Sequence, residues 1–487
     1  MKKIALFKFL ILFLCIAHFL GASASKPNLL IVHTDEHNFR TLGCYRDLMS
    51  DDQSFVWGAG IKVDTPFIDS LAEDSAICTS YYAASPVCTP SRAAMISGTY
   101  PVATGSWKNN LPLNDDLVSF AEQLKRHGYA TAYVGKWHLD GEDKPGFEPT
   151  RNFGFTDNRH MFNRGHWKVL EQVGDKSKVA GEPNKKGIYS YTINGANEKT
   201  FTTDFLTDRV LEIIERDKDQ PFCVLLSLPD PHGPNSVRAP YDTMFKDMHF
   251  NDPLTKNVPA SQVPKWNANT GKNSAGELKQ DQMQKYFGMV KCIDDNVGRL
   301  LTYLKETGLD KDTIVVFTSD HGDLMGEHNR HNKGLPYETS AKIAFVIRFP
   351  GKIPEGKVIR KAYTNVDFTP TILGLMGVPQ IKGTQGLDDS KTFLSKRKEV
   401  VDDRIVYMTN SGSAWVSAVN NSYKLVISQV DKPWLFDLKR DPDELINFYN
   451  DPEYKSIGEK FQNELKNQMK LYNDRALTVS SVKLQYR

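Results

Sequence analysis

The segment best suited to chemistry runs from Ser85 to Gly98 and carries Cys88 and, four residues later, Arg92. Pro90 suits the first turn of a helix and Gly98 suits its end, so the segment predicts a helix that begins at about Cys88. Free backbone N–H groups and the helix dipole favour an anion at such an N-terminus. The guanidinium of Arg92 adds a rigid fork of donors for an oxyanion. The segment therefore predicts an anion site beside Cys88.

Four apolar runs in the chain predict buried strands: 28–34, 130–134, 222–228 and 313–318. Helical patterns separate them, with apolar side chains at 117, 120 and 124 before Gly128, and in steps of three and four from 287 to 304. Strands that alternate with helices predict an α/β fold with a largely parallel sheet covered on both faces.

Each of these four runs leads directly into polar side chains. They are Asp35 after the first run, Lys136 and His138 after the second, His232 after the third, and Asp320 and His321 after the fourth. In open α/β sheets, ligand sites lie at the carboxyl ends of the strands. Four segments that are distant in sequence are therefore expected to bring these side chains to one place.

Cys88-Thr89-Pro90-Ser91-Arg92 matches in full the signature Cys-x-Pro-Ser-Arg, so the chain resembles the formylglycine-dependent sulfatases. The resemblance implies an alkaline-phosphatase-like fold, a large sheet between helices. It also implies that Cys88 is oxidised to formylglycine (3-oxoalanine) by a formylglycine-generating or anaerobic sulfatase-maturating enzyme. The aldehyde hydrate would attack sulfur, pass through a covalent sulfo-enzyme and expel sulfate by reforming the carbonyl.

Further segments resemble the motifs of this family in the same order along the chain. Gly135-Lys136-Trp137-His138 resembles Gly-Lys-x-His, which implies that Lys136 binds the hydrate and a sulfate oxygen and that His138 is a catalytic base. Pro231-His232-Gly233-Pro234 resembles Pro-His-x-Pro, which implies that His232 helps to protonate the leaving oxygen. The segment 326–334 implies a second sulfate-binding lysine, Lys333, and Arg92 completes the catalytic set.

The same resemblance implies a metal site made of Asp35, Glu36, Asp320 and His321. Asp35 and Glu36 stand where the family usually has two adjacent aspartates, and His321 stands where many relatives have asparagine. Oxygen ligands from carboxylates suit a hard cation such as Ca²⁺. Mg²⁺ and Mn²⁺ are the alternatives.

The N-terminal residues 1–24 predict a secretory signal peptide that is removed from the mature chain. Lys2, Lys3 and Lys8 precede an apolar run at 9–17, and Ala22-Ser23-Ala24 is a cleavage motif. We therefore expect export to the periplasm or the medium. No later run is apolar and long enough to span a bilayer. The net charge of +2 gives no reason to expect a nucleic-acid partner.

The remaining chain divides into a predicted catalytic domain, 25–398, and a smaller C-terminal α+β subdomain, 399–487. Short apolar runs at 404–408, 414–419, 423–427 and 434–438 predict an antiparallel sheet, and a helix is predicted from about residue 457. Polar stretches at 171–200 and 233–282 predict long loops of the kind that shape a substrate cleft.

Some cysteines and histidines receive less definite predictions. After Cys15 leaves with the signal peptide, five cysteines remain, an odd number. Cys78, Cys223 and Cys292 are expected to be buried apolar filler. Four further histidines either line the cleft or lie in surface loops, namely His160, His166, His328 and His331.

The predicted function is the hydrolysis of sulfate esters. An exported sulfatase with long polar loops suggests a sulfated carbohydrate as the partner, by analogy with the family. Two alternatives remain open at this stage. One is a phosphonate monoester or phosphodiester hydrolase with the same signature and fold, and the other is a non-catalytic binder of sulfated glycans.

Overall fold

A computed structural model describes residues 26–267, 276–410 and 414–485. The predicted signal peptide, residues 1–24, lies outside these described residues. Within the described ranges, no helix combines the length and the apolar character needed to cross a membrane.

A nine-stranded sheet forms the centre of the molecule, and a separate two-stranded hairpin lies beside it. Up to residue 401 the strands are β1 Asn28–Asp35, β2 Ala76–Tyr82, β3 Ala130–Lys136, β4 Asp157–Phe162, β5 Leu170–Val173, β6 Lys176–Val179, β7 Phe222–Pro231, β8 Thr313–Ser319, β9 Phe345–Arg348, β10 Lys357–Thr364 and β11 Glu399–Val401. The order in the sheet is β11-β10-β2-β9-β8-β1-β7-β3-β4, and β5 pairs with β6. Only β9 runs antiparallel to its neighbours among these nine strands. The predicted, largely parallel α/β sheet is confirmed.

Helices cover both faces of this sheet. Those of the described residues are α1 Gly43–Arg46, α2 Asp51–Ser54, α3 Pro66–Glu73, α4 Cys88–Ser97, α5 Phe120–Arg126, α6 Thr202–Asp217, α7 Gln280–Glu306, α8 Glu338–Ala341, α9 Phe368–Leu375, α10 Ser390–Leu394, α11 Lys455–Leu471 and α12 Ser480–Leu484. The predicted helices at Cys88 and at 287–304 are confirmed as α4 and α7. The predicted helix at 117–124 begins later, at Phe120, because Ser119 caps it by accepting a hydrogen bond from the Glu122 backbone N–H.

Alternate residues of the central strands enter two separate cores. In β1, Leu29 and Ile31 pack with α4, α5 and α9 on one face of the sheet. Leu30 and Val32 pack with α6 and α7 on the other face. All four side chains are buried, which explains why this strand is an unbroken apolar run.

The C-terminal part forms a four-stranded antiparallel sheet. Its strands are β12 Val406–Thr409, β13 Trp415–Val419, β14 Tyr423–Ser428 and β15 Trp434–Asp437, joined in sequence order. Helix α11 packs against this sheet, in a core that also includes Ala94 of α4. The antiparallel sheet and the helix predicted from about residue 457, which is α11, are therefore confirmed. The domain boundary after residue 398 stays a prediction, and β11, just beyond it, belongs to the large sheet.

Two sequence predictions about the rest of the chain have clear structural outcomes. The stretch 171–200 is not all loop, because the hairpin β5–β6 occupies 170–179. Glu171 and Lys178 lie opposite each other in this hairpin, and both are exposed and charged, so the sequence there has little apolar signal. The cysteines Cys44, Cys78, Cys88, Cys223 and Cys292 are buried and free, so the expected filler role of Cys78, Cys223 and Cys292 agrees with their burial.

A buried cluster of charged side chains connects the C-terminal sheet to the segment around α8. Lys424 of β14 is fully buried, and its Nζ lies 2.7 Å from Glu338 Oε1 and 2.8 Å from Glu444 Oε1. It also donates to the Pro336 carbonyl oxygen at 2.8 Å. The cluster thus attaches β14 to the segment that follows Lys333.

Replacing Lys424 with methionine is expected to lower the free energy of unfolding by about 3–5 kcal/mol, because the buried Glu444 loses its cation and Glu338 keeps only Lys342. Urea unfolding followed by circular dichroism measures the change. Lys460→Met is the matched control, because Lys460 pairs with Asp403 at the surface and such pairs contribute less than about 1 kcal/mol. Equal losses in the two variants would contradict the role given to the cluster.

Candidate active site

The predicted site side chains meet at one edge of the large sheet. Asp35 and Lys136 are the last residues of β1 and β3, and His232 and Asp320 directly follow β7 and β8. These four strands are parallel neighbours, in the order β8-β1-β7-β3, so their carboxyl ends lie side by side. Cys88 reaches the same place as the first residue of α4. The expected convergence of distant segments is confirmed, whereas the chemical roles of the residues stay predictions.

Cys88 lies at the centre of this group. Its side chain is buried, and Sγ lies 3.2 Å from His321 Nε2 and 3.8 Å from Asp35 Oδ1. Burial alone would raise the pKa of the thiol, but the positive charges of Lys136 and Lys333 hold this pKa well below its ordinary value. The position therefore strongly favours a negatively charged atom.

Arg92, one turn into α4, connects the site to the sheet. Its Nε donates to Asp320 Oδ2 at 2.9 Å, and its Nη1 donates to the Lys136 carbonyl oxygen at 2.8 Å and to Ser227 Oγ at 2.7 Å. Its Nη2 lies 3.4 Å from Asp35 Oδ2 and makes no hydrogen bond within the described residues. Arg92 thus binds Asp320, lies close to Asp35 and leaves the N–H donors of Nη2 without a hydrogen bond to any described residue.

Three of the predicted metal ligands face one another beside Cys88. His321 Nε2 lies 3.8 Å from Asp35 Oδ1 and 3.4 Å from Asp320 Oδ1. Its Nδ1 donates to the Gly322 carbonyl oxygen at 3.0 Å, which directs Nε2 toward the two carboxylates. The ligand atoms of Asp35, Cys88, Asp320 and His321 all lie within 4.8 Å of one another.

This group fits a cation. Burial alone would lower the pKa of His321, but the charges of Asp320 and Cys88 outweigh burial and raise the pKa to about 9. The electrostatic field at this point therefore favours positive charge. Two carboxylate oxygens and an imidazole nitrogen are ligands that divalent cations accept.

Glu36, the fourth predicted ligand, extends to the other side of the site. It adopts a left-handed backbone conformation, with φ 59°, and its Oε2 lies 2.9 Å from His232 Nε2 and 3.1 Å from Lys333 Nζ. Burial alone would raise its pKa, but His232 and Lys333 lower the pKa to about 2. Its Oε1 is buried and has no hydrogen-bond partner in the described structure, as expected of an oxygen that is free to bind a cation.

Lys136 and His232 face the centre from β3 and β7. Lys136 is fully buried and its Nζ contacts Asp35 Oδ2. Lys333 Nζ lies 2.7 Å from His232 Nε2, and both of the lysines predicted from the sequence, Lys136 and Lys333, act on the charge of Cys88. Burial alone would lower the pKa of His232, but Glu36 raises it above its ordinary value.

His138 lies at the border of the site in a constrained position. Its φ is 63°, and its Nε2 lies 3.1 Å from Asn110 Oδ1. Its Nδ1 is buried and has no hydrogen-bond partner in the described part of the chain. Burial lowers the pKa of His138 to about 4, so the ring is neutral near pH 7 and Nδ1 is an available acceptor.

Of the four histidines left undecided by the sequence, the structure places His166 in the site. Its Nε2 lies 2.8 Å from Lys136 Nζ, and its ring stacks on His232 with centroids 3.7 Å apart. His160 lies outside the site and contacts Ser177 Oγ at 2.8 Å. His166 follows closely after β4, the strand that brings it to the site. The first half of β4 is polar, so the apolar pattern of the sequence does not reveal this strand.

His328 and His331 belong to the segment between β8 and α8. His328 stacks on Tyr337, with ring centroids 3.5 Å apart, and burial lowers its pKa to about 3. It therefore packs as a neutral aromatic ring rather than facing Cys88. His331 has interactions of its own within the protein.

Gly135, next to Lys136, lies where β3 and β7 approach closely. Its φ is 105°, and a Cβ there would be 2.0 Å from the Ser227 carbonyl oxygen. Gly135→Ala is expected to lower kcat/KM about 100-fold, because a shift of roughly 1 Å in the attached Lys136 would misplace its amine. Steady-state kinetics on the folded variant measures the loss. Gly141→Ala is the control, because Gly141 also has a positive φ, 71°, but open space around it; an equal loss there would contradict the argument.

Comparisons with known proteins agree with this geometry. The profile of the Sulfatase family matches residues 19–378, and that of the C-terminal region of N-sulphoglucosamine sulphohydrolase matches residues 326–471. An ulvan-active sulfatase of Formosa agariphila is 29% identical over 453 residues, covering 91% of this chain and 80% of the relative. An N-acetylglucosamine-6-O-sulfatase of Bacteroides thetaiotaomicron is 26% identical, covering 92% and 87%.

A solved structure has the same fold. It is the complex of a protein with its substrate D-glucosamine-2-N,6-O-disulfate, with a TM-score of 0.72 and 22% identity, and the match covers 93% of this chain and 99% of that one. At this identity the likeness concerns the fold alone. The family profile covers most of the chain and includes Cys88, Arg92 and the strand ends that surround them. The chain therefore belongs to the sulfatase family, the sulfuric ester hydrolases with the alkaline-phosphatase-like fold.

Proposed function

We propose that this sulfatase hydrolyses sulfate esters of a carbohydrate with a formylglycine made from Cys88. The observation that carries the proposal is the position of Cys88, buried at the N-terminus of α4 between acids and cations. In the mature enzyme, the Cys88 Sγ position would be taken by the oxygens of the aldehyde hydrate. That hydrate supplies a nucleophile whose second hydroxyl allows sulfate to be expelled.

Three positively charged side chains, Lys136, Lys333 and Arg92, would bind the sulfate group. Lys136 and Lys333 lower the pKa of the Cys88 thiol, so both act on charge at that position. Arg92 keeps Nη2 available at the same edge. Fixed positive groups around the sulfate oxygens stabilise the charge that develops as the ester bond breaks, without a cost for reorganising water.

Two histidines would move protons. His232 faces Glu36, which raises its pKa, so it can hold a proton near neutral pH and donate it to the leaving alcohol oxygen. His138 is neutral at this pH, and its Nδ1 can take a proton from the hydrate. The pKa values of the two rings are therefore shifted in opposite directions, as an acid and a base require.

The proposed metal is Ca²⁺, held by Asp35, Glu36, Asp320 and His321, with Mg²⁺ and Mn²⁺ as alternatives. When bound, the cation supplies positive charge to the nucleophile and to sulfate oxygens. The proposal is supported by the buried carboxylates and by the orphaned Glu36 Oε1. Second contacts already orient the ligands, since Arg92 binds Asp320 and the Gly322 carbonyl oxygen binds His321.

The support for a carbohydrate substrate comes from the relatives of this chain and not from a binding cleft in this structure. One is named for activity on ulvan and another for N-acetylglucosamine 6-sulfate, and both align over most of this chain. The proposal also includes export to the periplasm or the medium, supported by the signal-like residues 1–24. A sulfatase-maturating enzyme is the proposed partner for oxidation of Cys88.

Mass spectrometry of the tryptic peptide Val63–Arg92, after co-expression with a maturating enzyme, tests the nucleophile. We expect the thiol-to-aldehyde loss of mass at Cys88 and an unchanged Cys78, which lies in the same peptide and serves as an internal control. A panel of sulfated mono- and oligosaccharides, with an aryl phosphonate for comparison, then tests the substrate. An unmodified Cys88 or a preference for the phosphonate would contradict the proposal.

A further inference from the structure

We propose that His166 is a positioning residue for the hydrolytic reaction, which orients the Lys136 ammonium and fixes the ring of His232. This inference rests on the proposed roles of Lys136 and His232. His166 itself is not assigned a bond to substrate; it acts through the two side chains that it contacts.

The contact with Lys136 determines how this amine is oriented. A lysine ammonium has three N–H donors and no acceptor, so His166 Nε2 accepts the hydrogen bond across the 2.8 Å separation. Asp35 Oδ2 accepts a second one. The third N–H is then directed by the other two and remains for a substrate oxygen. Without His166, the amine keeps only Asp35 as a guide and can rotate about it.

The contact with His232 determines the plane of its ring. The two imidazoles are nearly parallel, with an interplanar angle of 8° and centroids 3.7 Å apart. In its own plane, His232 Nδ1 donates to the Gly233 carbonyl oxygen at 2.8 Å, and Nε2 faces Glu36 Oε2 and Lys333 Nζ. His166 thus covers the face of a ring whose edge is already hydrogen-bonded, which leaves His232 a single orientation.

A second metal site is the competing explanation for the same side chains. The ligand atoms of Asp35, His166 and His232 lie within 4.8 Å of one another. However, Lys136 Nζ contacts both Asp35 Oδ2 and His166 Nε2, so a cation bound there would face an ammonium group. The arrangement favours a hydrogen-bonded positioning role.

Two substitutions separate the two contacts, in the mature enzyme carrying formylglycine. His166→Gln keeps an acceptor for Lys136 and removes the ring, whereas His166→Phe keeps the ring and removes the acceptor. The readout is kcat and KM for aryl sulfates whose leaving phenols span a range of pKa values, together with an alkyl or sugar sulfate.

His166→Phe is expected to lower kcat about 10- to 100-fold for all leaving groups, because a misplaced Lys136 weakens sulfate stabilisation equally in each case. His166→Gln is expected to spare the best leaving groups. It should lose activity progressively as the leaving group becomes more basic, because those esters depend on proton donation from His232. A purely structural role would not produce this difference between the two variants.

The control is His160→Gln, because His160 is a histidine that contacts Ser177 outside the site. Its kcat is expected to match that of the parent enzyme. If both His166 variants had the kcat of the parent enzyme, the inference about His166 would be overturned, but the proposed function would stand. Loss of one equivalent of bound metal in both variants would overturn it in favour of a second metal site. A parent enzyme that lacks formylglycine or sulfate-ester turnover would instead refute the proposed function.

Discussion

Replacing Cys88 with alanine is expected to lower kcat/KM for a sulfate ester by about 10⁴-fold or more, because the nucleophile is lost while the charged pocket remains. Arg92, Lys136 and Lys333 would still bind an anion, so affinity for a sulfated glycan should change far less than turnover. Steady-state kinetics and isothermal titration calorimetry with the same glycan measure the two quantities separately.

Cys88→Ser gives a more specific test of the hydrate. A serine hydroxyl can attack sulfur once, but it has no second hydroxyl with which to expel the sulfate. We therefore expect a burst of at most one equivalent of released alcohol, followed by little turnover. Sustained turnover by the serine variant would contradict the need for a formylglycine.

Cys44→Ala is the matched control for both variants. Cys44 is another buried free cysteine, but it lies in α1, and its backbone N–H binds Asp69 rather than a site residue. We expect its kcat/KM to stay within about twofold of the parent value, because a substitution that shares no partner with the site residues acts independently of them. If Cys88→Ala also retained activity, the chain would have to use another nucleophile.

Four neighbouring strands, β1, β3, β7 and β8, could be predicted because burial on both faces removes any need for polar residues. In β7, Val224 and Leu226 enter one core and Cys223 and Leu225 enter the other, so the whole run is apolar. Strand β4 lies at the edge of the sheet and is only half buried, with Asn158 and Arg159 in its first half. Such an edge strand gives no apolar run, so the residue pattern does not reveal it.

The site residues could be predicted because polar side chains follow apolar strands and because their motifs resemble those of a family. The sequence did not show which atoms would meet. Glu36 follows Asp35 directly, yet its positive φ turns it toward His232 and Lys333 instead of Cys88. Backbone conformation after a strand depends on tertiary packing, which a residue pattern does not contain.

The position of His166 in the site likewise could not be predicted from the residue pattern. It follows β4, so its place in the site depends on β4 pairing in parallel with β3. Once that pairing is known, His166 falls at the same edge as Lys136. A prediction of His166 therefore required the edge strand that the apolar pattern did not reveal.

Arg92→Ala is expected to lower both the stability and the activity of the enzyme. Arg92 is 2% exposed, and it binds Asp320, Ser227 and the Lys136 carbonyl oxygen while lying close to Asp35. Removing it leaves two buried aspartates without their guanidinium, a change that costs about 3–5 kcal/mol in the free energy of unfolding. We also expect kcat/KM to fall about 10³-fold, because an oxyanion donor is lost.

Calcium should reduce this loss of stability if Asp35 and Asp320 bind it. A bound cation neutralises the same two carboxylates, so the difference in unfolding free energy between Arg92→Ala and the parent enzyme should be larger in a chelator than in calcium. Urea unfolding under both conditions measures the difference. An identical difference in the two buffers would argue against a cation at these aspartates.

Two further variants separate the charge of Arg92 from its shape. Arg92→Lys keeps one positive charge but has a single nitrogen, which cannot reach Asp320, Ser227 and the Lys136 carbonyl oxygen at once. Its loss of stability should therefore lie between those of the parent enzyme and Arg92→Ala. Arg126→Ala is the control, because Arg126 pairs with Glu122 on the exposed side of α5, where such a pair contributes about 0.5 kcal/mol or less. If Arg92→Lys were as active and as stable as the parent enzyme, charge alone would suffice and the planar fork would have no role.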